Sequence, residues 1–171
     1  MDILTAIQSR RSVRKFTEQK VARPILEDLV RLGSLAPSAM NQQAWHFVII
    51  DDLTLLKQIP EFSPYASFVK NAPAAILVCM DLKLEKISGF LEQDAAAAVE
   101  NMLLAAPTFG LGATWTASYP LMDRVEGFRK LLNIQDEKII PFALIVLGYP
   151  HPDFLPRPRE MREDILSYNT F

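Results

Sequence analysis

The sequence predicts an α+β domain in which a central mixed or antiparallel sheet is flanked by helices on both faces. The chain has 171 residues, half of them hydrophobic, which is enough for one substantial core and on the short side for two. Short apolar runs with strand-like composition are separated by stretches with the apolar spacing of helices. We therefore expect a single domain over residues 1–171, in which residues 150–171 form an extended C-terminal arm.

Helices are expected in the N-terminal third of the chain. Apolar residues recur at helical spacing behind Asp2, a suitable N-cap, so a short helix is predicted to end near Arg10. Pro24 suits the first position of a second helix, whose apolar stripe ends at Gly33. Residues 53–59 also have a helical pattern.

The rest of the chain supplies the strands and two more helices. Residues 90–109 are apolar on nearly all sides, which predicts a buried helix of the kind often found at subunit interfaces. Pro107 should kink or end it, because proline lacks the amide that a helix interior requires. A further amphipathic helix is predicted over 121–132. The strand-like segments are residues 46–51, 74–81, 113–117 and 141–149.

The charge balance indicates an anionic ligand rather than a polyanionic partner. Eighteen basic and 20 acidic residues give a net charge of −2, so the total does not favour nucleic acid or an anionic membrane. Residues 1–33 hold seven basic and four acidic groups, a balance of +3, which leaves 11 minus 16, or −5, for the remainder. An anion held by the N-terminal segment is thereby suggested.

The single cysteine and the two isolated histidines argue against thiol or metal chemistry. Cys79 lies in an apolar run and has no partner for an intramolecular disulfide, which fits a packing role in a reducing compartment. His46 and His151 are isolated and do not form a metal site. With a carboxylate at position 2 and no long apolar core, the N-terminus is expected to be neither a signal peptide nor a membrane anchor. We expect a cytoplasmic protein without a catalytic side chain or a bound metal.

The first motif of chemical interest is the basic run at residues 10–15, RRSVRK. In an extended segment, alternate side chains point the same way, so Arg10, Ser12 and Arg14 would converge on one face. Arginine binds phosphate oxygens in a bidentate manner, and a serine hydroxyl adds a further hydrogen bond. Taken alone, the run is more typical of a solvated basic segment or a weak membrane-surface patch than of a cofactor site.

Three other motifs have the chemistry of a binding site. The loop at 36–45, APSAMNQQAW, brings hydroxyl and amide groups to a strand mouth, which suits a flat ligand with several donors and acceptors. The segment at 110–118, GLGATWTAS, has paired glycines that allow a close backbone approach, but it is not a Rossmann fingerprint. Arg157 and Arg159 project from a stiff proline-rich stretch and could form a second phosphate clamp.

Together these motifs resemble the FMN-dependent nitroreductase family, and the resemblance covers nearly the whole chain. The family has a basic RRSxR-type motif after the first helix, a PSxxNxQPW-type loop, a long apolar helix leading to GLGxxW, and an RPR-like tail. Each motif occurs here in the same order. Any one of them is weak, but the set is specific.

The resemblance implies a site residue by residue. The first motif would contact the FMN phosphate, ribityl chain and pyrimidine edge, and Arg14 would stabilise the anion formed on reduction. The loop residues would come from the other subunit, residues 115–118 would line the isoalloxazine, and the tail arginines would complete the phosphate site. The implied FMN-binding residues are Arg10, Arg11, Ser12, Arg14, Pro37, Ser38, Ala39, Asn41, Trp115, Thr116, Ala117, Ser118, Arg157 and Arg159.

The function implied is electron transfer from NADH or NADPH, through FMN, to nitroaromatics, quinones or similar small acceptors by a ping-pong mechanism. The implied assembly is a homodimer whose C-terminal arms cross onto the partner subunit. Two alternatives remain open: a specialised flavin reaction such as reductive dehalogenation, and a flavin-binding sensor without turnover. A nucleic-acid binder is less favoured, because aromatic residues do not interleave with the basic run.

Overall fold

A four-stranded antiparallel sheet forms the centre of the protein in the computed structural model, which describes residues 1–160 and 162–170. The strands are β1 (Trp45–Ile50), β2 (Ala74–Asp81), β3 (Gly112–Ala117) and β4 (Ile139–Gly148), in the order β1-β2-β4-β3. All four predicted strands are confirmed to within two residues at each end. The sequence left open whether the sheet is mixed or antiparallel, and all three strand pairings are antiparallel.

Among the residues described, five α-helices surround this sheet: α1 (Ile3–Ser9), α2 (Arg23–Ser34), α3 (Leu53–Phe62), α4 (Leu91–Ala105) and α5 (Met122–Leu131). Two separate apolar clusters show that they cover both faces, as predicted. One cluster packs α2 and α4 against one face of the sheet. The other packs α3 and α5 against the opposite face, and α1 lies against α4.

The central strand β2 explains why both faces need a cover. All eight of its residues are buried. Because side chains alternate along a strand, Ile76 and Val78 enter the cluster of α2 and α4, whereas Leu77 and Cys79 enter the cluster of α3 and α5. Burial raises the pKa of the Cys79 thiol to about 12, so this thiol is protonated at neutral pH and serves as an apolar side chain.

Local signals set the helix ends. The Asp2 carboxylate caps α1 by accepting a hydrogen bond from the Thr5 amide at 3.1 Å. Helix α4 ends at Ala105 and continues as a 3₁₀ turn over Ala106–Phe109, as Pro107 predicts. Helix α3 extends three residues beyond the prediction, because it tolerates Pro60 in its last turn.

The segment after α3 and the C-terminal tail have little regular structure. Residues Pro64–Asn71 form a 3₁₀ segment, and no element was predicted there. From residue 150 onward the described tail is irregular apart from a 3₁₀ turn over Glu163–Ile165. Phe154 packs against the cluster of α3 and α5, whereas Leu155, Ile165, Leu166 and Tyr168 are exposed. The hydrogen bonds of residues 162–170 are local. Exchange of this arm between subunits stays a prediction.

None of the helices in the described residues is both long and apolar enough to cross a lipid bilayer.

Candidate functional site

The basic segment at residues 10–15 lies beside the edge strand β3. Ser12 forms a parallel bridge with Ala113, and the Val13 amide donates to the Ala113 carbonyl at 3.0 Å. The Thr114 hydroxyl donates a short hydrogen bond to the Val13 carbonyl. Two motifs that are a hundred residues apart in the sequence are thereby joined at one edge of the sheet.

Gly112 makes this close approach possible. A Cβ atom at this position would lie 2.6 Å from Val13 Cγ2 and 2.7 Å from Val13 Cβ, far inside van der Waals contact. Valine is branched at Cβ and cannot swing away from such a clash. The structure thus confirms that a glycine of the GLG motif allows the backbone to come close, and it shows that the neighbour is the basic segment itself.

We expect Gly112→Ala to lower both stability and FMN affinity, because the added methyl must push Val13 and its neighbours Ser12 and Arg14 away from β3. Overpacking of this kind costs about 1–3 kcal/mol of unfolding free energy. The double variant Gly112→Ala/Val13→Ala removes the clash and should lose less than the two single variants combined. Urea unfolding and FMN titration measure the two effects. Strictly additive losses would show that the close contact does not set the position of the segment.

A pocket of about 200 Å³ opens where the basic segment meets β3. The Arg14 guanidinium carbon lies 5.9 Å from the ring centroid of Phe68. Within the described residues, Arg14 makes no hydrogen bond and no ion pair, so its charge is available to a ligand. The pocket is lined by Arg14, Ser63, Tyr65, Ala66, Phe68, Thr114, Trp115, Thr116, Ala117 and Arg124.

The other two arginines of the basic run are engaged by protein groups. Arg10 Nε lies 3.4 Å from a carboxylate oxygen of Glu100 on α4. Arg11 donates to three carbonyls: from Nε to Arg157 at 2.7 Å, and from Nη1 to Gln8 and to its own neighbour Arg10, each at 2.8 Å. Arg11 therefore has a structural role, in which it ties the start of the tail to the basic segment.

A second contact anchors the tail near the same place. Lys15 Nζ lies 2.7 Å from Asp153 Oδ2, and this hydrogen bond lowers the pKa of the Asp153 carboxyl. The backbone of Arg157 is thereby held close to the basic run, while its side chain and that of Arg159 are exposed. The structure does not bring either tail guanidinium into contact with the pocket.

The polar loop is held by a buried carboxylate on α4. Asp94 accepts from the Ala39 amide at 2.9 Å and from the Gln42 side-chain amide at 2.6 Å. Gln42 in turn accepts from the Lys86 amide at 2.9 Å. The loop needs this support, because Met40 and Asn41 have φ values of 50° and 48°, in the left-handed region that non-glycine residues seldom adopt.

Within one chain, this loop and the pocket are apart. The loop precedes β1, whereas the pocket lies at β3, on the opposite edge of the sheet. Three strand spacings separate these edges by about 14 Å, and none of residues 37–41 lines the pocket.

Ser118, the last residue of the third motif, is buried. Its amide donates to the Phe142 carbonyl at 3.0 Å, and within the described residues its hydroxyl has no hydrogen-bond partner.

The sequence motifs missed five pocket residues: the small residues Ser63 and Ala66, and the larger Tyr65, Phe68 and Arg124. Tyr65 and Phe68 belong to the 3₁₀ segment after α3, and Arg124 belongs to the first turn of α5. The only sequence signal for the first two was their spacing of three residues, which places side chains on one side of a 3₁₀ helix. Arg124 had no signal in the chain, because nothing in its neighbourhood distinguishes it from an ordinary exposed helical arginine.

The lining of this pocket can bind a flat anion. It contains two guanidinium groups, three aromatic rings and no carboxylate. Arginine forms bidentate bonds to phosphate or carboxylate, and aromatic side chains accept ring systems by stacking. No side chain that lines it is suited to act as a nucleophile activated by a neighbouring base, so the pocket is built for binding rather than for covalent catalysis.

Comparisons with known proteins give the family. The model described as the Nitroreductase family matches residues 7–66 and 63–149. A relative from Methanothermobacter thermautotrophicus, provisionally named NADH dehydrogenase/NAD(P)H nitroreductase, is 48% identical over 88% of this chain and 78% of its own length. An iodotyrosine deiodinase from Thermotoga neapolitana is 31% identical over 96% of both chains.

A solved structure gives the same result for the fold. A provisionally named nitroreductase from Desulfovibrio desulfuricans, crystallised in complex with FMN, is 28% identical and superposes with a TM-score of 0.82. The match covers 99% of this chain and 98% of the other. The order of the motifs, the antiparallel sheet with helices on both faces and these matches agree, and the chain belongs to the nitroreductase family.

Proposed function

We propose that this chain is an FMN-dependent oxidoreductase that transfers electrons from NADH or NADPH to nitroaromatics, quinones or similar small acceptors. The observation that carries the proposal is the meeting of Arg14 with Trp115–Ala117 in one pocket. Relatives support the cofactor and the donor, since one binds FMN and another is provisionally named for NAD(P)H. Bound FMN supplies the chemistry, which is acceptance of hydride and delivery of electrons to an acceptor.

The residues present fit FMN, which carries a phosphate and a flat ring system. Arg14 is a guanidinium without a hydrogen-bond or ion-pair partner among the described residues, in a pocket whose lining has no carboxylate. Ser12 lies on the same extended segment, and Arg10 can exchange Glu100, a half-exposed partner at 3.4 Å, for a phosphate. We assign Arg10, Ser12 and Arg14 as the primary FMN-binding residues, with Arg157 and Arg159 near the phosphate.

Side chains of this pocket also set the reactivity of the site. The positive charge of Arg14 favours the negative charge that reduction places on the ring, and it acts in partly apolar surroundings where water screens it less. Phe68 packs beside this guanidinium. Trp115 and Thr116 form a wall from β3, a rigid element that keeps the wall in place. No side chain is required as a proton donor or acceptor for hydride transfer.

We propose that the active unit is a homodimer. Within a single chain, the pocket beside β3 has a volume of about 200 Å³, below the roughly 300–1,000 Å³ of most cofactor and substrate sites. The loop carrying Pro37, Ser38, Ala39 and Asn41 is shaped in advance by Asp94 but lies on the far edge of the sheet in its own chain. Supply of this loop by a second subunit would enlarge and close the site.

An anaerobic flavin-reduction assay tests the function. The FMN-loaded protein is mixed with NADH or NADPH, and absorbance near the flavin maximum is followed. We expect bleaching by at least one nicotinamide, then recovery on addition of a nitroaromatic or a quinone. Double-reciprocal plots of rate against donor concentration, at several fixed acceptor concentrations, should give parallel lines. A ping-pong mechanism requires this pattern, because the oxidised nicotinamide leaves the site before the acceptor binds there.

The same assay separates the alternatives. Flavin that neither nicotinamide bleaches would contradict the proposal and favour a sensor. The deiodinase relative makes reductive dehalogenation the enzymatic rival, so halogenated phenols belong in the acceptor panel. Faster turnover with these phenols than with nitroaromatics and quinones would favour that rival.

A further inference from the structure

Arg124 and Tyr65 form a pair at the mouth of the pocket. The Arg124 guanidinium carbon lies 5.8 Å from the ring centroid of Tyr65. Arg124 Nη1 also donates to the Ala117 carbonyl at 2.9 Å, which fixes the guanidinium at the end of β3. The pair therefore has a defined position relative to the wall formed by Trp115–Ala117.

The charge of Arg124 is not balanced by the pocket. No carboxylate is among the lining residues, and in the described part of the chain Arg124 forms no ion pair. A guanidinium has five N–H donors, and the Ala117 carbonyl takes one. A carboxylate or phosphate can take two of the others in bidentate geometry without disturbing this anchor.

Tyr65 supplies an aromatic surface next to this charge. It is 87% exposed, an unusual position for a large aromatic side chain. Phe68 lies three residues further along the same 3₁₀ segment and lines the same pocket. A planar ligand can thus stack on an aromatic ring while its anionic substituent reaches Arg124.

Arg14 and Arg124 divide the pocket between two tasks. Arg14 belongs to the basic segment that we assign to FMN, whereas Arg124 and Tyr65 come from α5 and the 3₁₀ segment and belong to none of the four motifs. The positive charge of Arg124 remains when a cofactor phosphate is bound by the first motif. A second anionic group is therefore needed to use it.

We propose that Arg124 and Tyr65 form a subsite that selects flat aromatic acceptors carrying an anionic group, such as an aromatic carboxylate. The proposal rests on the proposed function for its acceptor chemistry. Arg124 binds the anion and Tyr65 stacks on the ring, so that the electron-accepting end of the molecule faces the wall of β3. Both act as specificity residues.

A matched pair of acceptors tests the subsite. 4-Nitrobenzoate and 4-nitrobenzamide share the ring and the nitro group but differ in charge. In Arg124→Gln, the ratio of kcat/KM for the benzoate to kcat/KM for the benzamide should fall by about 10- to 100-fold, the loss expected when one charge-assisted contact disappears. Arg124→Lys should restore part of the ratio, and Tyr65→Ala should weaken binding of both compounds.

The control variant is Lys130→Gln, which removes the same charge from the exposed surface of the same helix, away from this pocket. It should leave the ratio unchanged. Equal ratios in wild type and Arg124→Gln would overturn the proposal. A rise in KM for NADPH but not for NADH, with the acceptor ratio unchanged, would also overturn it and assign Arg124 to the donor phosphate.

Calorimetric binding of 4-nitrobenzoate to the oxidised FMN-loaded protein separates this inference from the proposed function. Arg124-dependent binding without turnover of any acceptor would support the subsite and contradict the proposed function. Turnover of neutral acceptors together with benzoate binding that is independent of Arg124 would support the function and overturn the subsite.

Discussion

Replacement of Arg14 by alanine is expected to lower the affinity for FMN by about 10- to 100-fold, the loss of one or two charge-assisted contacts. The physical reason is that Arg14 enters a pocket without a carboxylate and is not hydrogen-bonded or ion-paired to any described residue. Titration of FMN fluorescence against apoprotein measures the dissociation constant. Thermal unfolding checks the fold, since the variant also loses the contact with Phe68.

The same variant should lower the reduction potential of the bound flavin. A cation near the ring stabilises the reduced anion more than the oxidised form. Loss of about 1.4 kcal/mol of this preference lowers a two-electron potential by about 30 mV. Equilibration with reference dyes measures the shift. Arg14→Lys keeps the charge and should retain more of the potential than Arg14→Ala does.

Arg31→Ala is the matched control, because Arg31 is an exposed arginine whose ion-pair partner is Asp28 on the same helix. It should change neither the affinity nor the potential. If Arg14→Ala behaves like this control in both measurements, the assignment of Arg14 to the cofactor is wrong.

The elements of the fold were predictable because burial leaves a local pattern. The run at 74–81 is apolar at every position but the last, and this is the composition that a strand needs when helices cover both of its sides. The positions of the strands followed from such runs, whereas their order β1-β2-β4-β3 did not. Order depends on which strands pair over long distances, and no short window of sequence contains that information.

The site was predictable where its residues form motifs and not where they are joined by packing. The basic run and the GLG segment were recognised separately. The close contact between Gly112 and Val13 shows why they can meet. Tyr65, Phe68 and Arg124 were missed, because a 3₁₀ segment and an exposed helical turn have no distinctive periodicity. The support of the polar loop by Asp94 was also missed. Left-handed backbone is usually predicted at glycine, whereas here it occurs at Met40 and Asn41, so the sequence did not show that the loop needs support.

Charged substitutions on α1 are expected to convert a dimer into monomers and to abolish FMN retention. On this helix Ile3, Leu4 and Ile7 are 62%, 66% and 55% exposed. Ile3 borders one groove with residues of α4 and with Leu35, which is 68% exposed. Exposed apolar residues grouped in this way mark an interaction surface. We propose a second copy of the chain as its partner, because the polar loop lies apart from the pocket in its own chain.

The double variant Leu4→Glu/Ile7→Glu places two carboxylates in this surface, where a dimer would have to desolvate them. Sedimentation velocity should show a shift from dimer to monomer, and the protein should be isolated without flavin. Leu84→Glu is the control, because Leu84 is a leucine of similar exposure, 47%, in the turn after β2, and it borders neither this groove nor the pockets that Arg14 lines. It should leave both properties unchanged.

Leu35→Glu distinguishes loss of the dimer from damage to the basic run, because α1 leads directly into Arg10 whereas Leu35 follows α2. If both the α1 double variant and Leu35→Glu give colourless monomers, the site needs the second subunit. Monomers that retain FMN would show that one chain is sufficient to bind it and that the polar loop has another role. Variants that stay dimeric and yellow would place the interface elsewhere on the molecule.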